Sequence, residues 1–171
     1  MIEVTTSALA AHPFLRGMPP GHLDALAAAA SDVTFSAGHR IFEEGGFAGK
    51  FWLIQSGHVA LDLDVPGEGR MIIDNIGRGE LLGCSWLFPP YRWAFGAVCA
   101  GAVEAFEFDA AGVRARCAAD PVFGYELTER LIRVVARRLQ NTRSRLIAKS
   151  ASPRLTARLA HTIRARAGGR G

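Results

Sequence analysis

The chain has 171 residues, 49% of them hydrophobic, enough for one well-filled core and too few for two ordinary domains. It has no apolar run of about 18 residues and no basic-then-apolar N-terminal pattern, so neither a membrane span nor a signal peptide is expected and the default is a cytoplasmic protein. The formal net charge of +4 conceals a division, because residues 1–129 carry 8 Lys and Arg against 16 Asp and Glu, whereas residues 130–171 carry 12 basic residues and no acidic one. Such a basic tail suits nucleic acid, an acidic partner or a solvated helix face. Cys84, Cys99 and Cys117 make no CxxC or Cys/His spacing, so no disulfide framework and no metal site is expected.

In chain order, residues 1–20 read as a lead-in with a short helical piece near His12 and Pro13. Residues 22–30 read as a helix with Leu23, Leu26 and Ala27 on one face. The period then changes to two. Runs at 33–38 and 40–46 end in glycines, a third strand spans 50–55, and a fourth spans 58–65. On the fourth, alternation places Val59, Leu61, Leu63 and Val65 inward and Asp62 and Asp64 outward. A turn at 66–69 leads to a returning strand at 71–76, and two more strands follow at 95–102 and 103–108. About eight short strands at roughly ten-residue spacing favour an antiparallel sandwich or roll over any βαβ arrangement.

From Asp109 the pattern turns helical. Residues 110–119 form a short helix, and Asp120-Pro121 opens a long one that runs to about residue 150. Two apolar faces can be traced on it. Phe123, Leu127, Leu131 and Val134 form the face expected on the roll. Ile132, Val135, Leu139, Thr142 and Leu146 recur at 3-4-3-4 spacing, the pattern of a two-stranded coiled-coil seam, so a homodimer through this helix is expected. Ser152-Pro153 reads as an N-cap with Pro at the first helical position, opening a last short basic helix with Leu155, Leu159 and Ile163. The organisation expected is a lead-in at 1–20, a roll at 12–120, a dimerisation helix at 121–150 and a basic helix and tail at 151–171.

The stretch 79–93 organises the rest. Its glycines, Gly79 and Gly83, lead into a short apolar run cut by Pro89-Pro90, so a helix opening near Gly83 must stop within about a turn. Such an opening exposes unpaired N–H groups that suit an anion. Arg92 supplies a cation just beyond, with the rings of Trp86, Tyr91 and Trp93 around it. The expected ligand-binding set is therefore Gly83, Cys84, Ser85, Trp86, Arg92 and Trp93.

Three further stretches, Ile41-Phe42-Glu43-Glu44-Gly45, the run from Phe51 to Val59 through Ser56-Gly57, and Gly79 to Gly83, make the chain resemble the cyclic nucleotide-binding domain of the Crp/Fnr regulators over roughly residues 12–150. The resemblance implies an antiparallel β-roll with flanking helices, a long helix that dimerises, and a cyclic nucleotide or another phosphate-bearing small molecule as ligand. In that family the phosphate-binding cassette carries a Glu for the ribose hydroxyl and, farther on, an Arg for the cyclic phosphate. Aligned on Gly83 and Phe88, those positions hold Cys84 and Ala94, and Arg92 is displaced by about 7 Å along the strand. At about 1.5–3 kcal/mol per hydrogen bond to a charged group, cAMP and cGMP affinity is expected to fall by roughly two to four orders of magnitude. Ser85 to Trp93 also resembles the cassette of a narrower subgroup of stand-alone bacterial domains, which carry Trp where this chain has Cys84.

A non-catalytic ligand-sensing or regulatory module is the leading functional expectation, with a degenerate roll serving as an interaction scaffold as the competing one. Two further readings stay open: a transcriptional-regulator component touching DNA through its basic tail, and an accessory subunit of a larger redox or metabolic complex. Residues 152–163 resemble the helix that opens the Crp/Fnr winged-helix domain, but too little sequence follows for a recognition helix, so specific DNA binding is disfavoured. An enzyme is the weakest reading. His12, His22, His39, His58 and His161 are scattered, and Ser85 has no evident base.

Overall fold

The computed structural model of the chain describes residues 4–151, and residues up to Arg130 form one compact unit while the chain from Leu131 forms a second. The first unit opens with helix α1 (Thr6–Ala11), a 3-10 turn (Pro13–Leu15) and helix α2 (Pro20–Ala27). Eight strands follow: β1 (Ala30–Phe35), β2 (Arg40–Phe42), β3 (Lys50–Ser56), β4 (Val59–Val65), β5 (Gly69–Ile76), β6 (Leu81–Leu82), β7 (Gly96–Cys99) and β8 (Val103–Asp109). Helix α3 (Ala110–Ala119) and the long helix α4 (Pro121–Ala151) complete the described chain.

The strands make two four-stranded antiparallel sheets, ordered β1-β8-β3-β6 and β2-β7-β4-β5. This is the antiparallel β-roll that the strand spacing predicts. The roll closes non-locally, with Ala30 opposite Phe108 and Phe35 opposite Val103. That pairing also explains one departure: the alanine run favours a helix through Ala30, yet α2 stops at Ala27 because Ala30 is already a strand partner of β8.

Strand β3 is apolar for four residues in a row, Phe51 to Ile54, and all four are buried, so both of its faces are covered. Strand β4 departs from simple alternation. A register shift falls between Leu61 and Asp62, and Asp62 is buried rather than solvent-facing. Arg40 Nη1–H donates to both of its carboxylate oxygens at 2.8 and 2.7 Å, which offsets the cost of burying the charge.

Both C-terminal helices open on aspartate caps. Asp109 accepts from the Gly112 N–H at 2.6 Å, and Asp120 accepts from the N–H groups of Val122 and Phe123 at 3.1 Å each. Arg130 donates to the carbonyls of Phe14 and Arg16 and to Glu126, whose other oxygen accepts from His22, so the first turns of α4 are tied to the N-terminal helices. On α4, Phe123, Leu127, Leu131 and Val134 are buried, whereas Ile132, Val135, Leu139, Thr142 and Leu146 are exposed. The expected helix at Ser152 and the tail beyond it lie outside the described residues. No helix among the described residues is long and apolar enough to cross a membrane.

Candidate functional site

The connection from β5 to β7 is where the sequence places its site. It begins as a glycine turn laid along β3: the Gly77 N–H donates to Glu80 Oε2 at 2.8 Å, the Gly79 N–H to the Ile54 carbonyl at 2.8 Å, and the Ile54 N–H returns to the Glu80 carbonyl. Strand β6 then pairs with β3 through Trp52–Leu82 and Leu53–Leu81. Gly83 has φ +87°, and a Cβ there would sit 2.8 Å from the Trp93 ring, so only glycine fits.

No helix follows Gly83. The expected helical opening is replaced by turns from Ser85 to Pro90, with the Leu87 N–H donating to the Cys84 carbonyl at 3.4 Å and the Tyr91 N–H to the Phe88 carbonyl at 3.1 Å. The reason is packing. Trp86 is fully buried, with its ring on Phe51 at 4.5 Å, and Phe51 in turn lies on Phe108 at 4.7 Å. Its indole N–H has no hydrogen-bond partner among the described residues. Arg114 of α3 holds the same segment, donating to the Trp86 carbonyl at 2.7 Å and lying 4.4 Å from the centre of the Tyr91 ring.

The second half of the connection is sewn to the loop between β2 and β3. The Pro89–Pro90 bond is cis and Tyr91 has φ +54°. The Ala48 N–H donates to the Tyr91 carbonyl, the Trp93 N–H to Gly46 and the Gly45 N–H to Trp93, at 2.7 to 2.9 Å. Arg92 joins in, with Nη1–H donating to the Gly45 carbonyl at 2.8 Å. Trp93 is buried, stacked on Phe42 at 3.9 Å and tilted against Trp52 at 6.0 Å.

The predicted residues are thus not gathered round one cavity. Trp86 packs on Phe51 and Trp93 beside Trp52, and because Phe51 and Trp52 are consecutive on β3 they point to opposite faces of its sheet. Tyr91 lies under Arg114, not Arg92. Gly83, Cys84 and Ser85 are half-buried, Arg92 is exposed, and Ala94, at the aligned arginine position, is also exposed. Three features escaped sequence reading: the Arg114 clamp, the Arg40–Asp62 pair, and the junction at Glu107, which accepts from Trp52 Nε1–H at 2.8 Å and pairs with Lys50. Asp62, one of two aspartates in an otherwise apolar strand, reads by alternation as an outward residue like Asp64.

Among the described residues, three groups are shifted in the direction that burial drives them. Burial lowers the His12 imidazole below its ordinary value, against the smaller opposing effect of its hydrogen bond to the Ile54 carbonyl. The geometry fixes its tautomer: Nε2 lies 3.1 Å from that carbonyl and carries the proton, while Nδ1 accepts from the Phe14 N–H at 3.3 Å. Burial raises the Cys99 and Cys117 thiols, and both are free cysteines.

Residues 32–120, more than half of the chain, match the family described as the cyclic nucleotide-binding domain. The chain is similar to the CRP-like cAMP-activated global transcriptional regulator of Mycobacterium tuberculosis, with 29% identity over 138 residues, covering 81% of this chain and 60% of the relative. It therefore spans about 60% of the length of that relative. Among solved structures, a putative cyclic nucleotide-binding protein from Geobacter metallireducens superposes with a TM-score of 0.73 at 22% identity, covering 81% of this chain and 99% of that one. The Thermus thermophilus catabolite activator protein superposes with a TM-score of 0.62 at 24% identity, covering 81% and 63%. The matched family segment and the two-sheet roll lead to one conclusion: the chain belongs to the cyclic nucleotide-binding domain family.

Proposed function

We propose that the chain is a non-catalytic, cytoplasmic regulatory module in which the recognition of cAMP and cGMP has diverged or been lost. The observation that carries this is the use made of Arg92. Its guanidinium donates to the Gly45 carbonyl and helps fasten the cassette to the β2–β3 loop, while Cys84 and Ala94 hold the positions where the family's ribose carboxylate and phosphate guanidinium are expected. With both charged partners gone, affinity is lower by roughly two to four orders of magnitude. Calorimetric titration with cAMP and cGMP at fixed moderate salt tests this. The expected result is no saturable binding in the micromolar range. Micromolar binding abolished by Arg92→Ala would show that the shifted arginine serves the phosphate after all.

The module's output runs through a homodimer. Ile132, Val135, Leu139 and Leu146 are 62, 46, 63 and 61% exposed in the single chain and with Thr142 make a 3-4-3-4 stripe on α4 that water alone covers poorly. Sedimentation of the wild type is expected to give a dimer and that of Leu139→Glu a monomer; a monomeric wild type at tens of micromolar would refute the seam.

A further inference from the structure

Beside the β2–β3 loop lies a cleft of about 340 Å³ that Gly83, Cys84, Ser85, Trp86 and Arg92 do not line, within the range of small-molecule pockets, roughly 300–1,000 Å³. Phe42, Trp52 and Trp93 line it. Phe42 lies at 17° to Trp93 and 18° to Trp52, so these rings are close to parallel, and a flat ring entering the cleft extends their stack. Phe47 stands at the mouth, 68% exposed, its ring so close over Gly49 that a Cβ there would come within 3.0 Å of it.

One end of the cleft is polar. The Glu107 carboxylate is pinned by Trp52, whose Nε1–H donates to Oε2 at 2.8 Å, and its other oxygen pairs with the Lys50 ammonium. The two partners of that carboxylate differ in kind. Trp52 is buried and fixed, whereas Lys50 is 54% exposed on a flexible stem, and its ion pair is of the weak surface type. Lys50 can turn to an incoming anion while Glu107 keeps its indole partner. An incoming cation would have to displace an ammonium tethered beside the carboxylate at high effective concentration.

The geometry points to this cleft as a binding site for a planar aromatic carboxylate, with its ring system stacked on the Phe42, Trp52 and Trp93 rings beneath Phe47 and its carboxylate on Lys50 Nζ. The site goes beyond the cassette reading and does not depend on it.

Titration calorimetry of the full chain with 2-naphthoate, 2-naphthamide and a 2-naphthyl trimethylammonium salt tests the assignment. Naphthoate is expected to bind saturably, and the neutral amide about tenfold more weakly because it forgoes the charge-assisted contact. Lys50→Gln should bring naphthoate down to the level of the amide. Phe47→Ala should weaken both ligands, and Arg92→Ala neither. Both cleft variants change side chains that are more than half exposed, so folding is retained. The assignment is overturned by the absence of saturable naphthoate binding up to about 1 mM, by equal affinity for acid and amide, by tighter binding of the cation, or by loss of naphthoate binding in Arg92→Ala.

Discussion

Replacing Arg114 with alanine removes two contacts from one segment of the cassette. The first is the charge-assisted hydrogen bond to the Trp86 carbonyl at 2.7 Å, part-buried and worth about 1.5–3 kcal/mol. The second is the cation–π contact over Tyr91 at 4.4 Å, worth about 0.5–1 kcal/mol at a half-exposed site. Together they amount to roughly 2–4 kcal/mol, held mainly against local opening of the cassette. The amides of Trp93 and Tyr91, which donate to Gly46 and Phe88, report that opening. Hydrogen exchange in Arg114→Ala should be faster at these two amides by about 30- to 700-fold, while amides of the β4–β5 hairpin stay unchanged. Arg114→Lys keeps the charge without the planar fork and should recover part of the protection. If exchange in the cassette is unaltered and the urea midpoint does not move, the Trp86–Phe51 stack holds the segment by itself and the clamp has no energetic role.

Further expectations concern pH and backbone. His12 is held neutral by burial, so its folded pKa lies below the unfolded value of 6.5; the unfolded state then takes up the proton first, and stability is lost as pH falls below about 6.5. Glu126 acts in the same direction at lower pH: burial opposes its ionisation, but hydrogen bonds from Arg130 and His22 outweigh that and lower it net, so its contribution fades as pH drops below about the ordinary value of 4.5. Urea midpoints measured from pH 7.5 to 4 should show both declines, and His12→Gln should flatten the upper one; a flat wild-type profile between pH 7 and 5 would contradict the assignment. Gly83→Ala combines a left-handed φ with overlap of the packed Trp93 ring and should cost about 2–4 kcal/mol, whereas Gly67→Ala, at φ +83° with open space around it, should cost only about 1 kcal/mol. Equal costs for the two would mean that Trp93 moves aside.

What the sequence displayed and what it hid differ in physical kind. Strand periodicity, the glycine turns and the Asp109 and Asp120 caps are local, and seven of the eight strands and the start of α4 follow from them, whereas β6 at Leu81–Leu82 lies inside the cassette and is not read as a strand. The stripe of Phe123, Leu127, Leu131 and Val134 was legible for the same reason, since helical spacing alone separates it from the Ile132–Leu146 stripe. The cassette was misread where tertiary contacts overrode local pattern. Nothing near Trp86 in sequence shows that Phe51 will stack on it, or that Arg114, 28 positions later, will hold its carbonyl. Likewise Asp62 alternates as an outward residue until a bulge and Arg40, on another strand, bring it inside.

The position of β8 has a consequence for how the chain reaches this state. In the sheet ordered β1-β8-β3-β6, the last strand to be synthesised lies between β1 and β3. On a ribosome adding about 5–20 residues per second, β1 and β3 wait for several seconds before their common neighbour exists. Through that interval the run from Phe51 to Ile54, buried on both faces in the finished roll, has only the two-residue strand β6 to pair with. Topology of this kind makes for slow closure, because the long loop must be ordered before its contacts form. A nascent or truncated chain that ends before Val103 would expose β3 as its most adhesive segment, and it is there that chaperone capture or aggregation of incomplete chains is expected to begin.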